Sequence, residues 1–187
     1  MVNQTIKYFR ITDDLTVEGR WYLGKVEGVD NWSLAKKKPK YVENANLNLI
    51  NDGIELDYTH TEIYGLPVVS KVLAEYFSEF EGVELLRVNI EKKSKLNEYF
   101  VLSVTNEIDC VDEDKSIFTR FEDNDPVRPD KSGQYRAFMN LIIDSRKVKN
   151  ANIFRLSKFT NALIVSSQVK DRVEEIAAKG CKFHCVV

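Results

Sequence analysis

Acid–base chemistry near neutral pH needs a group that titrates there, and this sequence contains two histidines. His60 stands in Thr59-His60-Thr61 and His184 in Phe183-His184-Cys185. No serine or cysteine occupies a Gly-x-Ser-x-Gly nucleophile turn, and no glycine-rich phosphate loop occurs. Cys181-Lys182-Phe183-His184-Cys185 resembles half of a zinc site on paper. Structural zinc takes four ligands, usually in two separated pairs. On a strand, Cys181 and Cys185 share one face while His184 points to the other. The third cysteine, Cys110, is far away in sequence. The pentapeptide therefore reads as a core strand with buried cysteines. Asp123-Asn124-Asp125 lacks the glycine and the distal glutamate of a calcium loop.

Carboxylates are the remaining chemical resource, and they are concentrated. Between Glu107 and Asp130 there are nine acids and three bases, a local net of −6. Residues 131–187 carry eleven bases and four acids, a net of +7, and residues 1–106 carry −3. A carboxylate pair can serve as acid and base, but nothing singles out one catalytic member among Asp109, Asp112, Glu113 and Asp114. Opposed charge blocks can steer a charged partner, or they can pack side by side and cancel. The segment also contains Asp125-Pro126 and Pro129, which make it a surface excursion.

The elements that must position these groups follow from hydrophobic periodicity. Ile6–Ile11 and Arg20–Leu23 read as early strands, the second stopped by Gly24. The run Lys36-Lys37-Lys38-Pro39-Lys40 reads as a solvated loop. Leu47, Leu49 and Ile50 begin an apolar run closed by the turn Asn51-Asp52-Gly53. Ile54, Leu56 and Tyr58 alternate with Glu55 and Asp57, as on a strand with one wet face. Tyr99–Val104 and Phe138–Ile143 read as buried strands and Ile153–Leu156 as a short one. Trp21 and Trp32 read as core residues rather than exposed anchors.

One unit occurs twice. Leu66–Ser70 is followed by a helical stretch and by Gly82–Val88, and Ala162–Ser166 by a helical stretch and by Gly180–Val186. Ser70 and Ser166 stand where a hydroxyl can cap a helix, and Gly82 and Gly180 where a glycine can end one. Val72, Leu73, Tyr76, Phe77 and Phe80 lie on one helical face, as do Val169, Val173, Ile176 and Ala177. The expected class is therefore α+β: a mixed or antiparallel sheet with two strand–helix–strand modules packing amphipathic helices on it.

The 187 residues suit one domain, 1–187, divisible into lobes 1–92 and 93–187. Hydrophobic content of 43% and a net charge of −2 exclude wholesale disorder and a general basic coat for nucleic acid. No stretch approaches the ~20 apolar residues of a membrane span. With no signal-peptide core at the N-terminus and an odd number of cysteines, the expectation is a cytoplasmic protein. No cofactor, metal site or catalytic residue is expected.

Three motifs in order carry a resemblance. They are Gly65-Leu66-Pro67-Val68-Val69-Ser70; then Tyr99–Val104 with Ile108-Asp109-Cys110-Val111-Asp112 and Lys115-Ser116-Ile117-Phe118; then Ile153–Leu156 with Asn161–Ser166. From about Trp21 onward the chain is similar to a bacterial immunity-protein family of polymorphic toxin systems, the eleventh of its catalogue and long a domain of unknown function. The resemblance implies a non-enzymatic antidote that binds a cognate toxin stoichiometrically. Its partner is then a protein, with neither nucleic acid nor membrane involved. Asp109, Asp112, Glu113, Asp114, Asp123 and Asp125 are the candidate partner-binding residues, because an acidic surface can mimic phosphate before a basic toxin cleft. The rival readings are a metal-dependent enzyme or nucleic-acid-processing factor using the acidic 107–130 segment, and a scaffold module without a toxin. Titration with Mg²⁺ or Mn²⁺ separates the enzyme from the antidote. A binding protein shows no saturable uptake, whereas site-specific uptake with turnover would establish the enzyme.

Overall fold

β-Branched and aromatic residues set the architecture, because they fit a pleated surface covered by neighbours. The computed structural model describes residues 6–36, 45–91, 93 and 97–187, so Lys37–Lys40 of the lysine loop lie outside the described residues. The strands are β1 (Tyr8–Asp13), β2 (Tyr22–Glu27), β3 (Asn46–Asn51), β4 (Tyr58–His60), β5 (Pro67–Ser70), β6 (Val83–Ile90), β7 (Tyr99–Val104), β8 (Glu107–Ile108), β9 (Ile117–Arg120), β10 (Tyr135–Asn140), β11 (Ile153–Leu156), β12 (Phe159–Ser166) and β13 (Cys181–Cys185). The helices are α1 (Asn31–Lys36), α2 (Lys71–Phe77) and α3 (Ser167–Glu175).

This overturns the α+β expectation. The chain is mainly β, in three sheets, and its α-helices have only 6, 7 and 9 residues. Two helical turns bury too little surface to form a layer, so α2 and α3 serve as connections between strands. Within α2 only Leu73, Ala74 and Phe77 are buried, and Val72 is 53% exposed. Ser70 makes no side-chain cap, and its Oγ is buried without a partner. Ser166 Oγ accepts a long bond of 3.4 Å from Val169 N. The residue that turns the chain after α3 is Ala177, at φ 56°, not Gly180.

Other local expectations shift as well. β2 runs through Gly24, whose bare Cα accommodates Asn48; a Cβ there would sit 2.7 Å from its Oδ1. Residues 54–57 are not a strand, and β4 begins at Tyr58. Phe138–Ile143 is not a buried strand: Met139 is 89% exposed, and β10 ends at Asn140. β13 is not a core strand, since Cys181 is half-buried and Cys185 and His184 are exposed.

The contacts define two compact units. One comprises Thr12–Asn106 and Asp171–Lys182. Its six-stranded sheet has the order β2-β3-β6-β7-β5-β4. β7 is central and buried save for the half-buried Phe100, so its continuous apolar run is the signature of a strand covered on both faces. Trp21, at 0% exposure, packs its ring 5.0 Å from that of Tyr99 in the core. Beside it lies a buried ion pair. Arg20 is 4% exposed, and its guanidinium donates to both Asp13 oxygens at 2.8 Å. Its remaining N–H groups reach Asp14 O, Thr59 Oγ1 and Trp21 O. All five donors are thereby occupied, which makes so buried a charge tolerable.

The other unit comprises the chain up to Ile11, Glu107–Lys170 and Phe183–Val187. A five-stranded sheet of order β13-β1-β12-β11-β8 and a two-stranded ribbon of β9 and β10 make up its strands. Its core gathers Tyr8, Cys110, Tyr135, Phe154 and Ile164, among others.

Two substitutions test this packing. Asp13→Ala leaves Arg20 charged and buried without its partner, and should cost about 3–5 kcal/mol of unfolding free energy in urea titration. Gly180 sits at φ +95°, and a Cβ there would overlap Tyr58 O and lie 2.8 Å from Leu56 Cβ. Gly180→Ala should therefore cost at least about 2 kcal/mol in the same assay.

Candidate functional site

The acidic segment is built on the second unit, and local pairing places each of its groups. Val111 bridges Ile143 in antiparallel fashion, Asp144 N donates to Cys110 O at 2.7 Å, and Asp112 N donates to Ile142 O at 2.9 Å. Ser116 Oγ donates to Ile142 O and accepts from Ile142 N, both at 3.0 Å. These bonds anchor residues 109–116 along 141–144 and deliver the chain into β9.

β9 pairs with β10 in the register Arg120↔Tyr135, Thr119↔Ala137, Phe118↔Phe138 and Ile117↔Asn140, with two bulges on the β10 side. One face of this ribbon is aromatic. Phe118, Tyr135, Phe138 and Phe159 stack in sequence at ring separations of 4.8 to 5.8 Å. Arg120 lies over Tyr135, its guanidinium carbon 4.9 Å from the ring centroid. Tyr135 Oη donates to Glu113 Oε1 at 2.6 Å, and Arg120 pairs with the same oxygen. Burial first, and then the Glu113 bond, push the Tyr135 hydroxyl up to about 12. Burial likewise raises the Cys110 thiol to about 12, so this thiol is an inert core group at neutral pH.

The six candidate residues divide by how they are used. Asp109 pairs with Lys158 at 3.3 Å, Asp112 with Lys115 at 2.8 Å, and Glu113 with Arg120. Asp125 accepts from Val127 N and Arg128 N at 2.9 and 2.8 Å, folding the loop before the 3₁₀ turn Pro129–Lys131. Asp123 accepts from Ser132 Oγ. Among the described residues Asp114 makes no ion pair, and the same is true of Glu122, Asp123 and Asp125. Arg136 and Arg128 act on the half-buried Asp125, so the uncompensated charge rests on Asp114, Glu122 and Asp123; adjacency in sequence does not single out Glu122, because it does not show which acids find a base.

Also missed were the exposed apolar groups of this region. Ile117 is 57%, Val127 81% and Met139 89% exposed. A single apolar residue carries no sequence signal for exposure, and Met139 stands in an apolar run whose pattern suggests burial. In the first unit Trp21 is core, while Trp32 is half-buried with its ring 5.3 Å from that of Tyr64. That unit also holds a cleft of about 440 Å³ lined by Asn46, Asn48, Asn89 and Asn97 with Arg87 and Glu98. On its wall Arg87 pairs with Glu98 at 2.7 Å. Among the described residues, no three His, Cys, Asp or Glu side chains cluster to hold a metal ion. No helix among them is long and apolar enough to cross a membrane.

A family model described as an immunity protein family, Imm11, matches residues 28–187. The chain belongs to the Imm11 immunity protein family. No curated protein matches it. The Imm11 match takes in the whole acidic segment, the β9–β10 ribbon and every strand from β3 onward, and leaves out β1 and β2.

Two outcomes follow from the site's bonding. Tyr135→Phe removes the bond to a half-exposed carboxylate and should destabilise by about 1 kcal/mol, whereas Tyr135→Ala should cost at least about 3, read from urea midpoints. The second outcome concerns pH. Backbone N–H donors lower the Asp125 carboxyl, Lys115 lowers Asp112, and Arg146 holds Asp144 at about 2. Each folded value lies below its unfolded one, so the unfolded chain binds more protons in between. The stabilisation is complete above the ordinary aspartate value of 3.8 and is lost as pH falls through the folded values. Asp125→Asn should thus be less stable than the parent at neutral pH, with the gap closing below that value.

Proposed function

We propose that this chain neutralises a cognate bacterial toxin in the cytoplasm by stoichiometric binding, with no chemistry of its own. Family membership supplies the class, and the observation that supports the surface is the exposed charge on Asp114, Glu122 and Asp123, none of which pairs with a base among the described residues. A preformed surface covering ~1,600 Å² in total would occlude a toxin's active cleft. Toxins that attack nucleic acid present basic clefts, and an acidic surface both imitates the substrate and accelerates encounter.

The ion-paired Asp109, Asp112 and Glu113 contribute less to such steering, because each is partly neutralised within the fold. Asp123 keeps its charge while it shapes the loop, whereas Asp125 is partly balanced by Arg136 and Arg128. The steering charge of this reading is thus centred on Asp114, Glu122 and Asp123, a narrower set than composition indicates.

Co-expression with the product of the adjacent toxin gene is the direct test. Growth rescue and one-to-one co-purification are expected, and failure of both would remove the proposal. Changing Asp114→Asn, Glu122→Gln and Asp123→Asn together should slow association about tenfold at low ionic strength and flatten its salt dependence. An unchanged on-rate would assign recognition to another surface.

A further inference from the structure

We propose that β9 is the docking strand for this partner: its free edge takes up an extended segment of the toxin bearing basic residues at both ends. The inference rests on the neutralisation reading and adds to it the mode of contact.

In a two-stranded ribbon every second residue of each strand aims its N–H and C=O away from the partner strand. Among the described residues, no backbone group of Ile117–Arg120 is bonded to anything except β10. Edges of this kind are ordinarily blunted by prolines, lysines, bulges or covering segments. Three other edge strands show such devices. β10 has two bulges and carries Arg136. β2 is covered where Trp21 N donates to Ile54 O and Glu62 N donates to Leu23 O. β8 is only two residues long. β9, Ile-Phe-Thr-Arg, has no proline, lysine or bulge of its own, and its one cation, Arg120, is drawn onto Glu113 and the Tyr135 ring. Its residues favour extended backbone, and Ile117 is 57% exposed beside it. The aromatic stack behind Phe118 holds the strand in place, so little ordering cost remains at binding.

Charge selects the occupant. The free Asp114 precedes the strand, and Glu122 and Asp123 follow it, so a negative group stands at either end. Four residues at ~3.3 Å each separate the two ends by ~13 Å. An added strand of similar length with a Lys or Arg near each end matches both groups while its backbone completes the ribbon. Strand addition supplies affinity through main-chain hydrogen bonds and selectivity through alternate side chains.

Hydrogen exchange on the intact chain, alone and with the product of the adjacent toxin gene, tests this. Binding should slow exchange of the outward amides of β9 by about tenfold or more, leaving the amides of β10 far less affected. A stable complex with unchanged β9 amides would overturn the strand proposal and leave neutralisation intact. Protection of β9 that rises with the concentration of this chain alone would make the occupant a second copy, and would also overturn it. Absence of both complex and rescue would remove the neutralisation reading and this inference with it.

Discussion

Tyr135 is the residue on which the packing of the β9–β10 ribbon depends. Its ring is 3% exposed and packs against Phe118 and Phe138, while its hydroxyl reaches Glu113 at the surface. An amphipathic aromatic does this at low entropic cost, because one rigid side chain satisfies an apolar core and a polar rim together. Its backbone N–H also bonds to Lys158 O, which joins the ribbon to the turn between β11 and β12. Removing that ring would free β9 and the acids on both sides of it.

Charge in this region follows a division of labour. Acids next to a base are consumed in holding the loop, as Asp112 is by Lys115 and Glu113 by Arg120. Asp123, bound by the neutral Ser132 hydroxyl, folds the chain without losing its charge, whereas Asp125 has Arg136 and Arg128 acting on it besides its backbone donors. The first group has little left for a partner, because an ion pair already cancels most of its field. Asp123 shapes the loop and stays exposed, so a residue that builds this surface also keeps its field.

The other unit rests on a different device. Arg20 is buried with every donor satisfied, and the fork on Asp13 fixes the geometry of the chain leaving β1. Such a pair adds little net stability over an apolar replacement, but it penalises any arrangement that leaves a charge unmatched. Gly180 imposes a constraint of the same kind. Lys179 O accepts from both Asp57 N and Tyr58 N, and only a residue without a side chain can follow at that closeness.

The sequence by itself determined the strands at Tyr99–Val104, Ile153–Leu156 and Pro67–Ser70, because long apolar runs bounded by turn residues have one favourable local state. Its ordered motifs also determined the immunity family, and its acid count located the charged segment. It could not determine how far each helix extends: α2 stops at Phe77 although the apolar periodicity continues to Phe80. Nor could it tell Met139, exposed, from Leu141, buried, two residues apart in one apolar run. Which acids keep their charge was equally hidden, since Glu113 meets Arg120 and Tyr135 only when β9 folds against β10. Tertiary structure decided these points, because burial and ion pairing depend on which segments meet in space, and hydrophobic periodicity reports only which face of an element is suited to meet something.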